Sequence, residues 1–127
     1  MCINYKYLNS QTIDDKYPIP LISYLFSLLA EGKIFTKLDG KSGFWQVLMD
    51  LASIYLTGFV SPDGQYVYLR MPFGLKNAPA TFQRLMNIVL KEFLGDFVVV
   101  YIDDVIVYSL DKETHKQHLE KVFHKIR

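Results

Sequence analysis

The run FVVVYIDDVIVYS, residues 97–109, is apolar or aromatic up to its closing serine except where two adjacent aspartates, Asp103 and Asp104, interrupt it. Its flanks predict two strands, 97–102 and 105–108, joined by a turn too tight for anything but a hairpin. Upstream, DKYPIPLISYLFSLLAEG sets Leu21, Ile22, Leu25, Leu28 and Leu29 at helical spacing between Pro20 and Gly32, which predicts a helix with a start and a stop. KIFTKLD reads as a short strand ending at Asp39, and the two glycines of GKSGFWQVLMD turn the chain sharply just after it. YLTGFVSPDGQYVYLRM predicts a hairpin around Pro62-Asp63-Gly64. MPFGLKNAPATF is a loop, after which Asn77 and Pro79 open a helix running to about Leu94, with Gly95 as its stop. Asp111 is the N-cap of a last helix whose apolar face is Leu119, Val122, Phe123 and Ile126. This order predicts an α+β fold, an antiparallel sheet with helices packed on one face.

Composition narrows the class. A chain of 127 residues, 50% apolar and 21% charged, suits one globular domain with its own core. The net charge of +1 supplies no global basic field for nucleic acid, if the chain stands alone. The single cysteine, Cys2, allows no internal disulfide and no cysteine zinc site, in keeping with a reducing compartment. The longest apolar stretch, residues 21–30, is too short to span a bilayer and is broken by Ser23 and Ser27. MCINYKYLNS lacks the apolar core of a signal peptide. A soluble intracellular protein with no membrane partner is the expectation.

The aspartates have two readings. Asp-Asp can simply be the turn, since aspartate tolerates left-handed backbone and bonds its own main chain. Against that, the favoured two-residue turns carry glycine second, and neighbouring carboxylates oppose each other's ionisation. A divalent cation would remove the penalty, and Mg2+ takes carboxylate oxygens while keeping room for a substrate phosphate. Asp39, ending an apolar strand just before Gly40, is the candidate third carboxylate. If its strand lies beside the 97–108 hairpin, three carboxylates meet at one rim and could hold two metals about 3.5–4 Å apart. Asp-Gly is also a common turn opener.

With these residues in view, YIDD (Tyr101–Asp104) resembles the metal-binding box of reverse transcriptases. KLDGKSGFWQV (Lys37–Val47) is similar to the segment carrying their first catalytic aspartate. LRMPFGLKNAPATFQRLMN (Leu69–Asn87) resembles the loop and helix between them, in the form typical of gypsy-like LTR retrotransposons. The likeness covers essentially the whole chain. It implies a polymerase palm with partial fingers: a fingers remnant and palm entry over about residues 1–38 and a palm core over about 39–127. It implies nucleotidyl transfer from dNTPs to a primer 3′-hydroxyl on an RNA or DNA template, with two Mg2+ ions, or Mn2+, held by Asp39, Asp103 and Asp104. Gly40, Phe44, Phe73, Gly74, Lys76 and Gln83 would line the nucleotide pocket, Phe44 as the ring that excludes a ribose 2′-hydroxyl. Tyr101 would lie on the primer side. The implied partners are the template-primer and the other domains of a Pol polyprotein, namely the remaining fingers, thumb, RNase H and integrase. The implied location is a cytoplasmic virus-like particle or the nucleus.

The chain departs from the family pattern. Gly40 stands where an aliphatic residue is usual, and Phe44-Trp45 replace Tyr-His. Leu56 and Gly58 interrupt the usual KTAF, and Asn4 and Lys6 replace Asp and Arg. The resemblance puts the triphosphate-clamping fingers strands and the thumb outside these 127 residues, so the chain alone is expected to be inactive. The alternative is a decayed or non-catalytic fragment retained for interaction. On the last helix His115 and His118 are three apart, which admits a metal-ligand pair or, more simply, a solvated polar face.

Overall fold

The computed structural model describes residues 2–127. Four helices, α1 (Lys6–Gln11), α2 (Ile22–Leu29), α3 (Ala78–Val89) and α4 (Lys112–Ile126), accompany five strands. These are β1 (Ile34–Asp39), β2 (Phe59–Ser61), β3 (Gly64–Tyr66), β4 (Val98–Tyr101) and β5 (Asp104–Ser109). Strands β1, β5 and β4 form an antiparallel sheet in that order, and β2 and β3 form a separate hairpin. The architecture is the expected mixture of helices and antiparallel sheet.

The central strand β5 is read on both faces. Val105 and Val107 join Val98, Val100, Leu90 and Val122 in the main core, beneath α3 and α4. Burial of such side chains contributes about 1.5–3 kcal/mol each. On the opposite face Tyr108 and Val99 pack against Leu25 of α2. Two helices therefore share one face while α2 covers part of the other. A smaller cluster of Phe44, Met71, Ala78 and Phe82 fills the space beyond the sheet end. There Gly43 approaches Phe82 so closely that a Cβ would lie 2.9 Å from the ring.

Four local expectations are corrected. The turn in residues 97–109 is Ile102-Asp103, one position earlier than the Asp-Asp pair, with Tyr101 opposite Asp104. Helix α3 ends at Val89 rather than near Leu94, because the chain must reverse to enter β4. The Phe93 carbonyl accepts from the amides of Asp96 and Val98, closing that reversal, and Gly95 serves it with φ +79°. In α4, Leu119 packs inward and Val122 is fully buried, but Phe123 and Ile126 are exposed. The inward face carries His115 instead, 6% exposed. His115 Nδ1 and His118 Nδ1 both meet the Ser109 hydroxyl, at 2.9 and 2.7 Å, and His115 Nε2 lies 2.7 Å from Thr36 Oγ1. These imidazoles fasten α4 to the sheet, so neither a solvated face nor a ligand pair describes them.

Asp111 caps α4 as expected, accepting from the Thr114 amide at 2.9 Å. Asn77 begins α3 without a side-chain cap bond. Its amide instead takes the Asp15 N–H and donates to the Ile13 carbonyl, pinning residues 13–15 to the helix start.

Candidate active site

Asp39 is the last residue of β1 and pairs with Asp104, the first of β5. Directly paired residues point to the same face of a sheet, so these carboxylates stand side by side. Lys37, two residues back on β1, shares that face, and its Nζ lies 3.0 Å from Asp104 Oδ1. Asp103 sits in the adjoining turn. Its Oδ1 is buried and has no hydrogen-bond partner, a state costing about 1–3 kcal/mol for a polar group. Burial pushes the Asp103 carboxyl above the ordinary aspartate range, and the charges of Asp104 and then Asp39 push it further. Asp39 and Asp103 both open on a cavity of about 390 Å³ whose apolar wall includes Leu38, Phe82 and Met86.

Among the described residues no three His, Cys, Asp or Glu side chains form a ready metal cage. The donors that do face one space are the carboxylates of Asp39 and Asp103, while Asp104 is engaged by Lys37. That set fits a hard cation such as Mg2+ or Mn2+, which binds through one or two carboxylates and fills its remaining positions with water and phosphate. The orphaned oxygen of Asp103 is the donor such an ion would satisfy.

The turn itself is strained. Ile102 has φ +53°, a left-handed conformation that costs an L-residue about 1–2 kcal/mol, more so when β-branched. Gln83 compensates from α3. It is fully buried, its Oε1 accepts from the Ile102 amide, and its Nε2 donates to the Val100 carbonyl at 3.2 Å. The amide thus ties the end of β4 to the first residue of the turn, just before Asp103.

The other expected pocket residues divide. Phe44 is 6% exposed, with Phe82 edge-on at 5.6 Å and Phe73 tilted at 5.1 Å. Phe73 is the accessible ring, half exposed above Phe44. Gly40 lines the carboxylate cavity, and a Cβ there would meet nothing closer than 3.9 Å, so an aliphatic residue would fit. Gly74 has φ +93°, and its carbonyl accepts from Asn9 Nδ2 at 2.8 Å. Lys76 is turned toward the N-terminal segment, with Nζ 3.2 Å from Asp14 and 3.3 Å from the Thr12 carbonyl. Gln83 lies beneath the turn, and Tyr101 packs beside the α2 cluster. The structure thus brings Asp39, Gly40 and Asp103 together, sets Phe44 beneath a tilted Phe73, and sends Lys76 elsewhere.

Two participants escaped the sequence reading. Lys37 was accessible to it, because a lysine two residues before Asp39 on a strand must share its face. Asn9 holds both ends of the Gly74–Lys76 stretch, accepting from the Lys76 amide at 2.8 Å, and nothing local in the sequence announces a contact across that separation.

Comparison with known proteins places the chain in a family. The chain matches the family described as reverse transcriptase (RNA-dependent DNA polymerase) over residues 1–127 and belongs to it. It is 48% identical over 122 residues to the retrovirus-related Pol polyprotein from transposon opus of Drosophila melanogaster, covering 96% of this chain and 12% of that polyprotein. It is 47% identical over 120 residues to an RNA-directed DNA polymerase homolog of Oenothera berteroana, covering 94% of this chain and 84% of that protein. Among solved structures, the prototype foamy virus protease–reverse transcriptase superimposes with a TM-score of 0.81 at 34% identity, over 97% of this chain and 16% of that one. A foamy viral protease–reverse transcriptase in complex with an RNA/DNA hybrid gives 0.80 at 26% identity, over 97% and 16%.

Proposed function

We propose that this chain is the catalytic palm, with a fingers remnant over about residues 1–38, of an RNA-directed DNA polymerase within a longer Pol polyprotein of a gypsy-like LTR retroelement. The observation that carries the reading is the register that sets Asp39 against Asp104 beside a turn holding the buried, unpartnered oxygen of Asp103. Asp39 and Asp103 are the principal metal ligands and Asp104 the accessory one, released from Lys37 when the metal charge competes for it. Bound Mg2+ or Mn2+ would lower the pKa of the primer 3′-hydroxyl and offset charge building on the phosphates as pyrophosphate leaves. Phe73, backed by Phe44, offers an apolar wall to the incoming dNTP, and Gly74 admits backbone to its phosphates. Tyr101, paired with Asp104, flanks the primer end. The template-primer is RNA or DNA, a choice supported by foamy viral relatives solved with an RNA/DNA hybrid and with double-stranded DNA. The remaining fingers, thumb, RNase H and integrase would be supplied by the polyprotein, acting in a cytoplasmic virus-like particle or the nucleus.

A second reading, an inactive remnant, draws on the Lys37–Asp104 ion pair. A chimera separates the two: residues 2–127 replace the equivalent segment of the foamy virus enzyme, and primer extension is assayed. Metal-dependent extension that is lost on Asp103→Asn is expected. A folded chimera that binds template-primer but extends nothing with Mg2+ or Mn2+ would favour the remnant.

A further inference from the structure

Behind Gln83 the hydrogen bonding continues outward in one direction. Gln83 Nε2 also donates to Asn87 Oδ1 at 3.0 Å, one helical turn along α3. Asn87 Nδ2 then donates to the Tyr17 hydroxyl oxygen at 2.9 Å, and Tyr17 lies in the extended segment before α2. Tyr17 is itself fixed twice. The Arg84 guanidinium lies over its ring, 4.8 Å from the centroid. Asp15 holds that same guanidinium at 2.9 and 2.7 Å and accepts the Tyr17 backbone amide at 3.1 Å.

The polarity of this chain matters. A primary amide can flip by 180°, exchanging donor for acceptor. Gln83 supports the turn only with Oε1 toward the Ile102 N–H and Nε2 toward the Val100 carbonyl. The reverse orientation sets donor against donor at Ile102 and acceptor against acceptor at Val100. Asn87 adds a second acceptor that only the working orientation satisfies. Asn87 could flip as well, and the Tyr17 hydroxyl, which can accept or donate, would follow it, so the backbone groups at Ile102 and Val100 set the polarity while Asn87 and Tyr17 hold the amide in place. Each link fixes the position of the next, as in a satisfied, partly buried polar network.

From this we infer that Asn87 and Tyr17 are positioning residues for the metal-binding turn: they lock the Gln83 amide, and so hold Ile102 left-handed and Asp103 aimed at its cavity. The inference rests on the proposed metal site for its consequence, but the lock itself can be measured without metal. It gives the N-terminal segment, roughly 70 residues from the turn's helix contact in sequence, a direct part in the geometry of the carboxylates.

The test is amide hydrogen exchange at Ile102, resolved by NMR, together with Mn2+ titration of the same proteins. Four are compared: wild type, Tyr17→Phe, Asn87→Leu and, as a stability control in the main core, Val122→Ala. Tyr17→Phe removes one oxygen and leaves the ring beneath Arg84. Exchange at Ile102 is expected to quicken by about tenfold in Asn87→Leu and by about threefold in Tyr17→Phe, the range of one lost hydrogen bond. Amides in the β5 core should be unaffected in both. Val122→Ala should lower global stability and accelerate core amides without singling out Ile102. Mn2+ affinity should fall by about fivefold in Asn87→Leu and be unchanged in Val122→Ala. Ile102 exchange unchanged in both lock variants, or changed only in step with the core amides, would overturn the inference. Should the wild type bind no Mn2+ while Ile102 exchange still responds, the metal-site proposal fails and the lock stands.

Discussion

Replacing Ile102 separately by glycine and by alanine reads out the strain in the turn that carries Asp103. Both variants lose a half-buried side chain at the edge of the Phe44–Phe82 cluster, worth about 1–2 kcal/mol for a partly exposed site. They differ in backbone. Alanine at φ +53° still bears the left-handed cost of about 1–2 kcal/mol. Glycine escapes it but adds about 0.4–1 kcal/mol of unfolded-state entropy. The glycine variant should therefore be more stable than the alanine variant by about 0.5–1 kcal/mol, the net of those two terms. At an ordinary strand position the order reverses, with glycine worse by about 0.5–1 kcal/mol. Urea unfolding followed by Trp45 fluorescence, extrapolated to water, resolves differences of this size between variants. A glycine variant less stable than alanine by the strand-like margin would refute the left-handed turn and the role assigned to Gln83. Glycine should also weaken Mn2+ binding, because relieving the strain frees the turn that aims Asp103.

Three further outcomes follow from the same geometry. Gly43→Ala brings a Cβ to 2.9 Å from the Phe82 ring and should cost about 1–3 kcal/mol of stability by overpacking, measured by the same unfolding curves. Asp103→Asn should stabilise the metal-free chain at neutral pH, since the native carboxylate is opposed by burial and by Asp104 and Asp39. That advantage should shrink as pH falls through the raised native pKa toward the unfolded value, because the wild-type group then protonates and sheds its penalty. Burial holds the His118 imidazole below its usual pKa, stacked 3.7 Å from Phe97. The unfolded chain then binds the proton more readily, so stability should decline as pH drops below about 6.5. His118→Phe, which can retain the stack, should flatten that decline in unfolding curves recorded between pH 7.5 and 5.5, a window of about one unit on either side of the ordinary histidine pKa.

Much of the site is legible from local pattern. The β-prone residues IFTKLD run into a glycine, so the sequence reads as a strand ending at Asp39, and burial alternates along that strand as formed. Valine-rich flanks made the hairpin around the aspartates inevitable, and Asp111 capped its helix as its side chain requires. What escaped was set by contacts distant in sequence. The turn falls on Ile102 rather than Asp104 because a buried glutamine, 19 residues away, satisfies the Ile102 amide and makes a left-handed isoleucine tolerable. His115 looked like a solvated residue because nothing near it in sequence reveals Ser109 and Thr36 waiting on the sheet. Lys76 was assigned to the nucleotide pocket by resemblance, and Asp14 draws its ammonium the other way. Each case is a polar side chain whose partner lies on another element, which periodicity cannot encode.

The same contrast bears on how the candidate metal-ligating carboxylates are held. A carboxylate buried without a partner destabilises the chain that carries it, so its neighbours must compensate. Here the compensation comes from β5 packed on both faces and from the Gln83 amide beneath the turn. Stability is given up at Asp103 and recovered in the valines around it.

The most direct measurement is calorimetric titration of Mn2+ into this chain beside the Asp39→Asn/Asp103→Asn double variant, with circular dichroism confirming that both are folded. Saturable binding by the wild type that vanishes in the double variant is the expected result, and it would show that the two carboxylates facing one cavity act as one site. Equal weak binding by both folded proteins would contradict the metal centre.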